Sequence, residues 1–231
     1  MRDLYIALDF KTEPELWDFM ENFQDQSAAF KVGMSQFYMS GPEIVWKLAA
    51  MGHKVFLDLK CHDIPNTVYL AMRQLSQLPV ELITVHTLGG PAMLKAAVKG
   101  AKEGPYQPKV LGITQLTSTD QNMLTEDLHI QQSVEESVLD LAQMAQKTGL
   151  DGVVSSALEV KKIKAATNGE LLALTPGIRL AEDTSDDQSR VASPSQAKAN
   201  GADYIVVGRP ITQAKDPLAA YQNYLKEWQG E

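Results

Sequence analysis

Leu4-Tyr5-Ile6-Ala7-Leu8-Asp9-Phe10-Lys11-Thr12 is the stretch that decides the architecture of this chain. Its first six residues are an apolar, β-prone run closed by an aspartate. The turn that follows contains no glycine, so the run reads as a strand that does not open a Gly-rich dinucleotide-binding loop. Helical apolar spacing takes over at Glu13 to Phe23, and a second apolar run follows at Ala28 to Val32. The unit is therefore strand, helix, strand, with a connection long enough for a parallel crossover.

Working outward, the same alternation continues along the chain. Leu4 to Asp9 and Ala28 to Val32 are followed by strand-like runs at Lys54 to Lys60, Leu82 to Thr87, Val110 to Leu116, Gly152 to Ser155, Leu171 to Thr175 and Tyr204 to Gly208. Helices are predicted between them at Pro42 to Met51, Thr67 to Leu78, Pro91 to Lys102, Ser133 to Lys147, Leu158 to Thr167 and Pro194 to Asn200, with a last one at Pro217 to Trp228. Met51-Gly52, Thr148-Gly149, Asn168-Gly169 and Asn200-Gly201 stand where helix ends need a left-handed residue. Strict β-then-α order demands parallel strands with right-handed crossovers, and eight repeats close most naturally into a single-domain (β/α)8 TIM barrel over residues 1–231. A doubly wound sheet is the runner-up. Two polar stretches, Thr117 to Gln132 and Leu180 to Ser193, are predicted as long loops, and long loops on a barrel often act as lids.

With 231 residues, 44% hydrophobic and 22% charged, the chain has ordinary globular usage and can bury a sizeable core. No apolar run approaches membrane-spanning length, so no membrane partner is expected. The N-terminus enters an alternating strand pattern without a signal-peptide core or cleavage site, which predicts a cytoplasmic address. Cys61, the one cysteine, can form no intrachain disulfide and no Cys-based metal cage. A formal net charge of -8 argues against nucleic acid as a partner, although local geometry can still hold a small phosphorylated ligand.

In a barrel, the residues at the C-terminal strand ends face the active-site mouth. Asp9 ends the first strand, Lys31 the second, and Asp58 with Lys60 the third, with Asp63 in the loop beyond. Alternation sends Asp58 and Lys60 to one face, with Phe56 and Leu57 as apolar surroundings. One such pair could be an ordinary ion pair at the barrel mouth. Several converging charges cost of the order of several kcal/mol each to bury unless mutually paired, so function is the better reason for keeping them.

Asp58-Leu59-Lys60-Cys61-His62-Asp63-Ile64-Pro65-Asn66-Thr67 resembles the D-x-K-x-x-D signature of the orotidine 5'-phosphate decarboxylase family. The resemblance extends to Asp9, Phe30-Lys31-Val32-Gly33, Thr114-Gln115-Leu116-Thr117-Ser118, Thr175-Pro176-Gly177-Ile178-Arg179 and Val207-Gly208-Arg209-Pro210-Ile211, and so spans the chain in order. It implies a TIM-barrel lyase that converts orotidine 5'-phosphate to uridine 5'-phosphate, the last step of de novo UMP synthesis, with no cofactor and no metal. Lys31, Asp58, Lys60 and Asp63 are implied as an alternating catalytic array, with Lys60 delivering a proton to C6. The resemblance further implies a homodimer in which Asp63 and Thr67 reach the neighbouring subunit's site. Asp9 is implied as a ribose partner that also orients Lys31, Thr117 as a partner of the pyrimidine edge, and Gln188 as a bridge between phosphate and pyrimidine.

The chemistry itself points the same way. Decarboxylation at C6 of uracil leaves an sp2 lone pair that the ring cannot delocalise, and no pyridoxal, thiamine or metal motif offers an electron sink. Preorganised electrostatics remain: a fixed ammonium where negative charge develops, held by aspartates. For the phosphate, Pro176-Gly177-Ile178-Arg179 follows the seventh strand and Gly208-Arg209-Pro210 the eighth. Gly208 permits close backbone approach, Pro210 suits a first helical position, and Arg209 offers a bidentate fork. His53, His62, His86 and His129 lack metal-ligand spacing, and His86 is expected at most to line the pocket. Related magnesium-dependent sugar-phosphate barrels share D-x-K-x-x-D but carry an acidic residue in place of Lys31. A catalytically silent nucleotide-binding barrel is a third reading, against which the intact charge array argues.

Overall fold

The computed structural model of the chain describes residues 3–180 and 191–230. Its strands are β1 (Leu4–Leu8), β2 (Ala29–Gly33), β3 (Lys54–Cys61), β4 (Leu82–His86), β5 (Lys109–Ile113), β6 (Gly152–Val154), β7 (Leu172–Thr175) and β8 (Tyr204–Val207). Neighbours pair in parallel in sequence order, and β8 pairs back onto β1 through Tyr5↔Val206 and Ile6↔Val207. That last pairing closes the sheet, which makes the fold a (β/α)8 TIM barrel and removes the doubly wound alternative. The helices are α1 (Glu13–Met20), α2 (Met34–Ser40), α3 (Glu43–Ala50), α4 (Pro65–Leu75), α5 (Gly90–Ala101), α6 (Val134–Thr148), α7 (Val160–Ala166), α8 (Pro194–Ala199), α9 (Arg209–Thr212) and α10 (Pro217–Gln229). None among the described residues is long and apolar enough to cross a membrane.

Strand alternation divides the core in two. Leu4, Ile6 and Leu8 of β1, Phe30 and Val32 of β2, Val55 and Leu57 of β3, and Ile83 and Val85 of β4 point outward into the layer shared with the helices. The intervening residues point into the barrel, where Tyr5, Ala7, Ala29, Phe56, Leu82, Leu111, Leu174 and Val206 form a separate apolar plug. Truncating a side chain of either layer to alanine costs roughly 2–5 kcal/mol. On the inward register polarity rises toward the C-terminal end: Ala29 gives way to Lys31, Phe56 to Asp58, and Leu82 to Thr84. The fold thus confines charge to one end of an otherwise dry barrel.

Local signals explain where the helices begin and end. Ser133 and Glu136 form a reciprocal capping box on α6, and Gly149 ends that helix with φ 84°. Ser193 and Gln196 do the same for α8.

Several expectations need correction. Lys31 lies in the middle of β2 rather than at its end, and β1 stops at Leu8, leaving Asp9 just beyond it. Leu57 faces the helix layer, so Phe56 alone supplies the apolar wall expected from that pair. The fifth strand runs Lys109–Ile113, because the chain leaves the ladder before Leu116. Within the polar stretch Thr117 to Gln132, Met123–Asp127 forms a π-helical turn whose Leu124 is buried. Helix α2 was not anticipated: it is short, it buries Gln36 while Met34, Tyr38 and Met39 stay exposed, and Gly33 provides no side-chain cap. The expected loop Leu180 to Ser193 falls mostly outside the described residues, and Gln188 lies outside them.

Candidate active site

A cavity of about 990 Å³ opens at the C-terminal mouth of the barrel. Asp9, Lys31, Asp58 and Lys60 line its floor together with Phe56. Its volume is at the upper end for a small-molecule site. Cationic side chains slightly outnumber carboxylates around it, so its local charge is opposite in sign to that of the molecule.

The charges on the floor are directly paired. Lys60 Nζ lies 2.8 Å from Asp58 Oδ2, and Lys31 Nζ lies 3.8 Å from the same oxygen and 3.4 Å from Asp9 Oδ1. The side chains of Lys31 and Asp58 are only 12% and 11% exposed, so their contact is poorly screened, whereas Asp9 is 57% exposed. Asp58 Oδ1 accepts the hydroxyl of Thr84 at 2.9 Å. Four charged groups of alternating sign therefore form a chain, Asp9, Lys31, Asp58, Lys60. Ala7, the β-partner of Lys31, is small, and Gly33 leaves room that a Cβ would take: it would sit 3.1 Å from Lys31 Nζ and 3.2 Å from Asp9 Oδ1.

Lys60 reaches this position by leaving regular strand geometry. Its φ is 50°, and the β3–β4 register shifts between Leu57 and Cys61. Asp58 and Lys60 meet as expected, but through an irregularity and not through simple alternation.

Asp63 and Thr67 are not brought to this cavity within the chain. Both are exposed, and Asp63 Oδ1 accepts the backbone N–H of Ile64 at 2.6 Å. A second groove, about 480 Å³, lies between α2 and α4 and is lined by Met34, Tyr38, His62 and Gln74. Lys60 borders both the groove and the main cavity.

His86 does not line the main cavity. It stacks on His62, ring centroids 5.5 Å apart, and its Nδ1 accepts the N–H of Leu88. Burial first, then His62 and Lys60, push its pKa down to about 4. His53 is buried, with Nδ1 accepting the N–H of Ala28, and burial lowers its pKa. Burial raises that of the Cys61 thiol. Among the described residues no three His, Cys, Asp or Glu side chains gather as a metal-holding group.

Gly177 and Arg179 after β7, and Gly208 and Arg209 after β8, line the same cavity. Gly177 needs its glycine, since its φ is 75°. Gly208 is the N-cap of α9 and Arg209 its first residue, so Pro210 is second and not first. A Cβ on Gly208 would have only Ala7 Cβ as a neighbour, at 3.6 Å. Thr117 also lines the cavity.

Three polar residues of this region were not singled out from sequence. Gln115, 3% exposed, donates to Ser137 Oγ at 2.9 Å, and Ser155, 1% exposed, lines the wall after β6. Thr84 holds Asp58 from within β4. Gln115 and Ser155 were legible as polar residues at the C-terminal end of an apolar run, which in a barrel is the informative place, whereas Thr84 stands in the middle of β4.

A sequence model described as the Orotidine 5'-phosphate decarboxylase / HUMPS family matches residues 2–224. A curated relative from Bacillus cytotoxicus named Orotidine 5'-phosphate decarboxylase is 46% identical over 233 residues, covering 99% of this chain and 98% of that protein. One of the same name from Lactococcus lactis subsp. cremoris is 49% identical over 228 residues, with 96% of each covered. A crystal structure of Orotidine 5'-phosphate decarboxylase from Lactobacillus acidophilus superposes with a TM-score of 0.88 at 41% identity, covering 99% of both chains.

Proposed function

The chain belongs to the Orotidine 5'-phosphate decarboxylase / HUMPS family, and from that membership we propose that it converts orotidine 5'-phosphate to uridine 5'-phosphate, the last step of de novo UMP synthesis. The observation that carries the reading is the pair of ammoniums, Lys31 and Lys60, on one oxygen of Asp58 at the cavity floor.

The substrate phosphate binds between Arg179 and Arg209, with the Gly208 backbone close by, and Gln188 closes over it. Thr117 meets the pyrimidine edge, and Asp9 meets a ribose hydroxyl while holding Lys31. C6 and its carboxylate then lie over Asp58 and Lys60. As the C6–carboxylate bond breaks, its electron pair stays on C6 and carbon dioxide leaves neutral. Lys60 stands fixed where that negative charge grows and transfers a proton to C6. The resulting amine recovers its proton from water. Ground-state crowding of Asp58 against the carboxylate adds to the effect only insofar as it is relieved in the transition state.

In this reading no cofactor or metal takes part. Lys31 supports it, because its ammonium fills the space between Asp9 and Asp58 that a divalent cation would need in order to bind both. The site is completed in a homodimer, with Asp63 and Thr67 contributed across the interface. Supporting this, Tyr38, which lines the second groove that Lys60 borders, is 76% exposed, and Ile64 and Leu70, at the start of and within α4, are 68% and 44% exposed. The lone thiol of Cys61 suits a reducing, cytoplasmic setting.

The test is an ultraviolet assay following loss of orotidine 5'-phosphate in the presence of EDTA. Turnover is expected to be the same with and without chelator. Absence of turnover, or turnover that requires added magnesium, would overturn the proposal.

A further inference from the structure

The ladder between β3 and β4 pairs Leu57 with Ile83 and Cys61 with Val85. Between those pairs β3 advances four residues while β4 advances two, and the surplus is taken up around Asp58, Leu59 and Lys60. Lys60 there adopts φ 50°, a left-handed conformation that costs an L-residue roughly 1–2 kcal/mol and persists only when its surroundings hold it. What its backbone N–H meets is a side chain: it donates to Thr84 Oγ1 at 2.9 Å. The same hydroxyl donates to Asp58 Oδ1, also at 2.9 Å. Thr84 is 0% exposed, so water does not compete for either bond.

A threonine hydroxyl has one proton and two lone pairs. Here the proton is committed to Asp58 and a lone pair to Lys60. Asp58 Oδ1 is thereby occupied, and Oδ2 faces the two ammoniums at 2.8 and 3.8 Å. One buried oxygen thus sets both the rotation of the carboxylate and the course of the backbone that carries the lysine.

We infer that Thr84 is a positioning residue for the decarboxylation, acting through Asp58 and Lys60 without touching the substrate. The inference rests on the roles proposed above for those two residues. Misplacement of a reacting group by about 1 Å can cost about 100-fold in rate, while Thr84 is not among the residues that line the cavity with Thr117, Arg179 and Arg209, the proposed binding contacts. Loss of the hydroxyl should therefore appear in kcat and not in KM.

The experiment compares the wild type with Thr84→Val, which has the same shape without the hydroxyl, and Thr84→Ser, which keeps it. Steady-state turnover of orotidine 5'-phosphate is measured alongside calorimetric binding of uridine 5'-phosphate, with rates normalised to the fraction that binds. Thr84→Val is expected to lower kcat on the order of 10- to 100-fold. KM and product affinity should stay within about 3-fold, and Thr84→Ser should retain kcat within about 3-fold of wild type. If the valine variant does not fold, Thr84→Ala takes its place against the same serine control. Unchanged kcat in the variant lacking the hydroxyl overturns the inference. So does a loss confined to KM, or a serine variant as impaired as the valine one. A wild type without turnover overturns the proposed reaction instead, so the two failures are distinguishable.

Discussion

At the scale of single residues, two side chains give opposite kinds of test. Arg209 lines the cavity and is proposed to meet the substrate phosphate, where a charge-assisted hydrogen bond is worth roughly 1.5–3 kcal/mol. Arg209→Ala should raise the dissociation constant of uridine 5'-phosphate by about 10- to 150-fold while leaving the affinity for uridine unchanged, as titration calorimetry would read. Equal losses for both ligands would remove Arg209 from phosphate recognition. His86 concerns stability. Its pKa falls from an ordinary 6.5 to about 4 in the folded chain, so the unfolded chain binds this proton more readily between those values. The stability it contributes is complete above pH 6.5 and is lost as pH falls through 4. His86→Asn keeps an acceptor for the Leu88 N–H and removes the titration. Urea unfolding of that variant should lose less stability than wild type across this window, and parallel curves for the two proteins would disprove the assignment. His53 titrates alike in both and cancels in the comparison.

At the scale of elements, what sequence revealed was what depends on local chemistry. The strands around Tyr5, Phe56 and Leu82 were readable because an apolar run between turn residues has few other uses, and because inward and outward faces are fixed by alternation. The starts of α6 and α8 were readable because Ser133 and Ser193 can satisfy the orphan N–H groups there. Two things were hidden. Helix α2 has no capping side chain and inverts the usual burial, covering Gln36 while Met34, Tyr38 and Met39 remain exposed. The irregularity at Lys60 was hidden because nothing in Asp58-Leu59-Lys60 marks a left-handed lysine; it arises from the contact with Thr84, which lies 24 residues away in sequence. The charged site was thus legible as a set of residues. The backbone device that aims it was not, because that device belongs to the pairing of two strands.

At the scale of the whole molecule, the outstanding feature is a cavity whose charge array stops at Lys60 while Asp63 and Thr67 stand exposed outside it. The proposed homodimer would reconcile these facts, because a C2 interface lets each protomer complete the other's site with the same residues. It would also give the exposed Tyr38, Ile64 and Leu70 an apolar partner. The arrangement makes a quantitative prediction. Lys60→Ala should abolish nearly all turnover in a homodimer, and so should Asp63→Ala, since every site then lacks one of the two groups. In a mixed dimer one site carries both substitutions and the other carries neither. Unfolding and refolding the two inactive proteins together at equal concentration makes half of the dimers mixed, each with one intact site of two. Activity should therefore return to about a quarter of the wild-type value per chain, whereas each variant refolded alone should stay inactive. If Asp63 served its own chain's site, no pairing of the two variants could assemble an intact set, and the mixture would remain as inactive as its parts.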